Sequence, residues 1–170
     1  DRLASEGVRF TNVCCNNSIC SPSRAAIITG QYSHVSGGLN LNCSLREDAP
    51  SYSRQLKAAG YQTAVVGKWH MRHTPRGMDF YSVTKGQGSY FNPSFTQTGG
   101  KQSKHKGYYA DVYTDVALEW LKKRDRKRPF CLNLHFKGPH HPYDSPARHE
   151  GLLADKLVPE PPSLHEDVER

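Results

Sequence analysis

The chain has 170 residues, a formal net charge of +7, 36% hydrophobic residues and a mean hydropathy of −0.73. That is the size of one ordinary domain, and no apolar stretch approaches the roughly 20 residues of a membrane-spanning helix. There is no internal repeat or low-complexity tract, so a solenoid or fibrous architecture is excluded.

Residues 1–7 read as the last turns of a helix with Gly7 as its stop. No initiator Met or signal-like leader precedes them, and the Pro-rich stretch 159–162 runs into acidic residues as a loop, so the chain reads as an internal piece of a longer protein. Residues 8–13 alternate apolar and polar side chains, which predicts a short strand leading into a cysteine-containing loop. The run Cys20-Ser21-Pro22-Ser23-Arg24-Ala25-Ala26-Ile27-Ile28-Thr29-Gly30 follows. Pro22 suits the first turn of a helix, Ala25 to Thr29 continue it, and Gly30 ends it. Cys20 then sits at a helix N-terminus, where free N–H groups favour anions. Arg24, one turn on, adds a charge able to grip an oxyanion in two places.

Residues 51–59 predict a helix stopped by Gly60, and 61–66 a β-prone run ending in Gly67-Lys68-Trp69-His70. Gly, Pro and Asn punctuate residues 78–100, which predicts irregular structure or small strands. Tyr109, Val112, Tyr113, Val116, Ala117, Trp120 and Leu121 form one continuous stripe at helical spacing, so 109–123 is the clearest helix. Six of the seven residues 122–128 are basic. The run follows a helix, where cations suit the C-terminal dipole, and no aromatic residue interleaves it, which argues against a nucleic-acid stacking surface. Residues 129–136 predict a second buried strand running into Lys137-Gly138-Pro139-His140-His141-Pro142. Helices and strands alternate, so the expected fold class is an α/β sandwich with a largely parallel central sheet flanked by helices.

In parallel α/β sheets, ligands bind at the carboxyl ends of strands. Cys20 and Arg24 follow the first expected strand, Lys68 and His70 the second, and His140 and His141 the third. Each has an ordinary alternative: a packed or disulfide-bonded cysteine, a solvated lysine, a hydrogen-bonded histidine. The five cysteines leave an odd one, and their spacing does not fix any pairing.

The run Cys20-x-Pro22-Ser23-Arg24, with its Ala-Ala-x-x-Thr-Gly tail, resembles the signature of the type I sulfatases, of the alkaline-phosphatase-like superfamily. Gly67-Lys68-Trp69-His70, preceded by Gly60-Tyr61-Gln62-Thr63, resembles that family's second signature. Pro139-His140-x-Pro142 resembles its third active-site segment. The helix from Gly107-Tyr108-Tyr109 through Trp120-Leu121 and the loop Pro159-Glu160-Pro161-Pro162 most resemble carbohydrate sulfatases related to N-acetylglucosamine-6-sulfatase. The resemblance implies that residues 1–170 are an internal piece of an N-terminal catalytic domain that hydrolyses sulfate esters on glycosaminoglycans or mucin-type glycans. It implies that a maturation enzyme converts Cys20 to formylglycine, whose hydrated diol attacks sulfur and then expels sulfate. Cys20 would also be a calcium ligand, and Arg24 would hold the diol. Lys68 and His140 would bind sulfate oxygens or assist the leaving alcohol, and His70 would deprotonate the diol. An exported location (periplasmic, extracellular or lysosomal) is implied as well. The sequence departs from the family in lacking the paired aspartates, the aspartate–asparagine pair and the second lysine that complete the site. The chain alone is therefore expected to bind calcium poorly and to hydrolyse nothing detectable.

Three other readings are distinguishable. One is a zinc- or nucleic-acid-binding module using Cys14, Cys15, Cys20, His70, His73, His140 and His141, although no Cys-x-x-Cys pairs support it. A phosphoester hydrolase of the same superfamily would carry Ser or Thr at position 20. An inactive remnant would bind sulfated glycan without cutting it.

Overall fold

The run Thr63-Ala64-Val65-Val66 has no polar alternation, as expected of a strand covered on both faces. In the computed structural model, which describes residues 1–165, this run lies in β1 (Gln62–Lys68), buried from Thr63 to Lys68. Val65 points into one core with Ala25, Ile28, Leu45, Ala49, Trp69 and Met78. Val66 points into the other with Tyr90, Phe95, Tyr109, Val112 and Tyr113. Successive side chains on a strand face opposite ways, so one strand divides the molecule into two cores.

Helices cover both faces of the sheet. α1 (Arg2–Glu6) leads the chain; α2 (Cys20–Thr29), α3 (Ser33–Ser36) and α4 (Tyr52–Ala58) follow. α4 packs on β1 and against α2. Ser51 caps α4, its hydroxyl accepting from the Arg54 N–H at 3.3 Å. Gly30 ends α2 in the left-handed region, its N–H bonding Ala26 O at 2.8 Å. The opposite face carries α5 (Tyr109–Lys123), which buries Tyr109, Val112, Tyr113, Val116 and Ala117 of the expected stripe.

The sheet order is β4-β3-β2-β1-β5, with β2 at Phe80–Thr84, β3 at Ser94–Gln97, β4 at Gln102–Lys104 and β5 at Phe130–His135. β1 is parallel to β2 and to β5, while β2–β3 and β3–β4 are antiparallel. The sheet is therefore mixed, because the small strands within 78–104 form a meander on one edge.

Two expectations need correction. Residues 8–13 form no strand, and Val8, Phe10 and Val13 are 76%, 77% and 74% exposed. Alternation makes a strand only where the segment is brought to a partner's ladder, and residues 8–13 pair with none of the described strands. β5 is half-buried rather than buried, because it is an edge strand among the described residues. The helix expected at the start is present as α1, but Gly7 does not adopt a left-handed stop (φ −139°). The acidic residues after position 165 lie outside the described residues.

Three of the six cations in the basic run make structural contacts. Lys123 pairs with Glu119 at 2.5 Å on the helix surface. Arg124 donates to Leu121 O and lies over the Phe130 ring at 4.6 Å. Arg128 donates to the carbonyls of Gly60 and Tyr61, tying the end of α4 to the start of β5. No helix among the described residues is long and apolar enough to cross a membrane.

Candidate active site

The carboxyl ends of β1 and β5 meet the N-terminus of α2. Lys68 ends β1, His135 ends β5, and Cys20 begins α2. Pro22 occupies the third position of α2, where its missing N–H costs no intrahelical bond. Ser23 N bonds Ile19 O at 2.9 Å, so the chain enters the helix directly with Cys20 in its first turn. The Ser21 hydroxyl donates to His70 O at 2.5 Å and fastens the segment after β1 to this helix end.

Arg24 is held from β1 and β5. Its Nη1 donates to Lys68 O at 2.7 Å and lies 3.3 Å from His135 Nδ1. Burial lowers the Arg24 pKa, against the raising effect of Cys20. Lys68 is buried, and its Nζ donates to Gln87 Oε1 at 2.5 Å. Burial lowers the Lys68 pKa first, Cys20 opposes that shift, and the cations of Arg24 and Lys137 reinforce it. The Gln87 amide nitrogen lies 3.9 Å from Cys20 Sγ. One side-chain amide thus bridges the buried cation and the thiol.

His70 sits at φ +53°, a left-handed conformation uncommon for a side-chain-bearing residue. Its Nδ1 is buried without a partner among the described residues. Burial lowers the His70 pKa first, and the cations of Lys68 and Arg24 reinforce the shift. Trp69 anchors the turn from within the core, donating to His73 O at 2.7 Å. His140 lies after β5, its Nδ1 2.8 Å from His141 O, and its own carbonyl accepts from the Tyr90 hydroxyl.

Cys20, Arg24 and Lys68 therefore line one cleft of about 450 Å³, together with Ser23 and His135. His70 and His140 stand outside its lining but act on the same group of charges. Three contributors were missed from sequence. His135 looked like one more residue of a β-strand, although a histidine closing an apolar run was a usable signal. Gln87 lies between Gly86 and Gly88 in a segment with no regular pattern. Lys137 is buried with its Nζ 4.8 Å from the centre of the Tyr90 ring, which its place beside Gly138-Pro139 did not suggest.

All five cysteines have free thiols. Calcium asks for six to eight oxygen ligands. Among the described residues no three His, Cys, Asp or Glu side chains come together. The residues present therefore do not make a calcium cage, and no step below runs through the metal. The same observation counts against the zinc-module reading. What the site offers is a residue-20 side chain at a helix N-terminus, in one cleft with an arginine, a buried lysine and a histidine. That arrangement suits a nucleophile attacking a centre that bears anionic oxygens.

The fold and this cationic cleft define an α/β protein with an anion-suited site at the carboxyl ends of parallel strands. More particularly, the chain belongs to the Sulfatase family, whose pattern matches residues 1–155. It is 40% identical over 172 residues to an N-acetylglucosamine-6-O-sulfatase of Bacteroides thetaiotaomicron, covering 99% of this chain and 31% of that protein. It is 25% identical over 182 residues to the N-acetylglucosamine-6-sulfatase of Homo sapiens, covering 92% of this chain and 33% of that protein. A solved structure of a protein with its substrate D-glucosamine-2-N,6-O-disulfate superposes with a TM-score of 0.93 at 40% identity, over 99% of this chain and 34% of the other. The chain thus spans about a third of the length of these relatives.

Proposed function

We propose that this chain is the nucleophile-bearing part of a sulfatase that hydrolyses sulfate esters on a sugar, with glycosaminoglycan or mucin-type glycans as the substrate class. The observation that carries the reading is the convergence of Cys20, Arg24 and Lys68 on one cleft at the head of α2. The likeness to N-acetylglucosamine-6-sulfatases supports the sugar and points to a sulfate on a hexosamine.

In this reading a maturation enzyme converts Cys20 to formylglycine, and the protein is exported. The hydrated aldehyde supplies a hydroxyl that attacks sulfur, the S–O bond to the sugar breaks, and the sugar alcohol leaves with a proton. The second hydroxyl of residue 20 then loses its proton, and sulfate departs as the aldehyde reforms. An unmodified thiol lacks that second hydroxyl. Arg24 orients residue 20 and offsets its charge. Lys68 and His140 bind sulfuryl oxygens or protonate the leaving alcohol. His70, whose pKa burial lowers, accepts the proton from the diol. A calcium ion, when bound, would polarise the sulfuryl oxygens; residue 20 is this chain's one proposed ligand to it.

The test begins with mass spectrometry of the peptide spanning Cys20, from the full-length protein co-expressed with a maturation enzyme. Conversion makes that peptide about 18 Da lighter and supplies the activated nucleophile. Release of sulfate from 6-O-sulfated glucosamines by aldehyde-bearing protein supports the reading. An aldehyde without release from any sulfated sugar overturns it. The lack of a gathered metal-ligand set among the described residues favours one companion reading: by itself the chain holds a sulfated glycan without cutting it. Turnover by the purified 170-residue chain, with its aldehyde verified, would sink that companion.

A further inference from the structure

Arg24 Nη1 lies 2.7 Å from Lys68 O and 3.3 Å from His135 Nδ1. That nitrogen carries two N–H bonds. Sending one to the carbonyl and the other to the imidazole satisfies all three atoms at once, provided that His135 Nδ1 carries no proton. The alternative has Nδ1–H donating to Lys68 O at 3.2 Å. It would set a ring N–H against a guanidinium N–H and leave the second Nη1 proton without this acceptor.

The backbone fixes the imidazole where it is. His135 is the last residue of β5 and pairs with Gly67 in the parallel ladder. Gly67 has φ +105°, and a Cβ there would lie 2.2 Å from His135 O. The two strand ends are packed too closely for His135 to withdraw. Around it stand Arg24 and Cys20 from α2 and Lys68 from β1, and among the described residues no carboxylate lines the cleft.

We propose that His135 is a positioning residue of the hydrolytic site: a neutral imidazole, protonated on Nε2, whose Nδ1 aims the Arg24 guanidinium at residue 20. The proposal rests on the sulfate-ester reading above and adds a residue to it. Burial first, and then the Arg24 cation, push His135 below the ordinary histidine range against the opposing pull of Lys68 O. Protonation would remove the acceptor and set a third cation beside two others, so Arg24 would be released as the pH falls.

The test compares His135→Asn with His135→Leu in the full-length, aldehyde-bearing protein. Asn keeps an acceptor close to the Nδ1 position but does not titrate. Leu keeps bulk and removes the acceptor. His135→Asn is expected to hold kcat within about threefold and to make the acidic limb of the pH profile shallower, leaving the part that protonation of His70 contributes. His135→Leu is expected to lower kcat by about 10- to 100-fold with a smaller change in KM, since misplacement of an orienting group costs rate in that range. Equal losses in the two variants, or an unchanged acidic limb in His135→Asn, overturn the proposal. Should His135→Leu fail to fold, selective 15N-histidine labelling of the wild type decides instead. Nε2–H with bare Nδ1 supports the assignment, and Nδ1–H overturns it. An aldehyde-bearing wild type that releases no sulfate overturns the hydrolase reading itself, which is a separate outcome.

Discussion

Lys68 keeps its ammonium where charge is expensive. The side chain is buried, and among the described residues its Nζ donates to a neutral amide oxygen, with the Cys20 side chain beside it. That cost is sensible only if an anion completes the pairing, and a sulfuryl group in the cleft is the anion the site suits. Lys68→Met, which keeps most of the length and none of the charge, is expected to lower kcat/KM by about 10²- to 10⁴-fold while leaving the melting temperature level or higher. Steady-state kinetics beside a thermal melt checks both halves. A loss of fold with no separate loss of rate would return Lys68 to structure. The buried histidines set a second expectation. His70, His73 and His135 are all pushed below the ordinary value, each mainly by burial, so the native state resists protons that the unfolded chain takes up. Where the unfolded state binds more protons, stability rises with pH. Stability is therefore complete above about pH 6.5 and falls as pH drops from there through the lowered native values. Melting temperatures recorded in the full-length protein from pH 8 to 5 are expected to decline over that window, and a flat profile would contradict it.

At the scale of elements, Gly67 shows why the site lies where β1 ends. A Cβ at this position would meet His135 O at 2.2 Å and the Tyr113 ring at 2.8 Å, at a φ of +105°. Gly67→Ala combines a forbidden backbone with overpacking between two strands and α5, and is expected to cost about 3 kcal/mol or more. For a domain of this size that is a drop of roughly 6–12 °C in melting temperature, readable by calorimetry. A change under 2 °C would mean that the two strand ends separate easily. This precision was only partly legible in the sequence. The stripe of α5 and the uniformly apolar β1 were readable, because burial on one face and on two faces leaves different periods. The gathering of Cys20, Arg24 and Lys68 in one cleft was readable because short motifs name residue types at fixed spacing. The roles of His135 and Gln87 were not, since both come from contacts across more than sixty residues of chain, to Arg24 and to Cys20. Residues 8–13 misled for a related reason: alternation records that a segment would fit an edge, not whether the fold brings it to one.

The whole molecule carries its apolar surface unevenly. The two cores around β1 are closed, yet Leu3, Val8, Phe10, Val13, Leu152 and Leu157 are each more than 65% exposed. The partnerless side of β5 adds a row of backbone groups at an edge, with Phe130 41% exposed on it. Single exposed hydrophobic residues are ordinary, but several on one short terminal segment, together with a strand edge left open among the described residues, invite association. The charge of +7 opposes this only through screened repulsion, which short-range apolar contact overcomes at moderate salt. The 170-residue chain, purified by itself, is therefore expected to self-associate at micromolar concentration, to bind an apolar dye, and to melt broadly. Sedimentation across a concentration series checks the first, and calorimetry the last. A sharp melt independent of concentration, from a monomer, would show that the two closed cores suffice and that the exposed residues are indifferent. If association is observed, the same chain within the full-length protein should lose it, because a partner segment on those residues removes the surface that drives it.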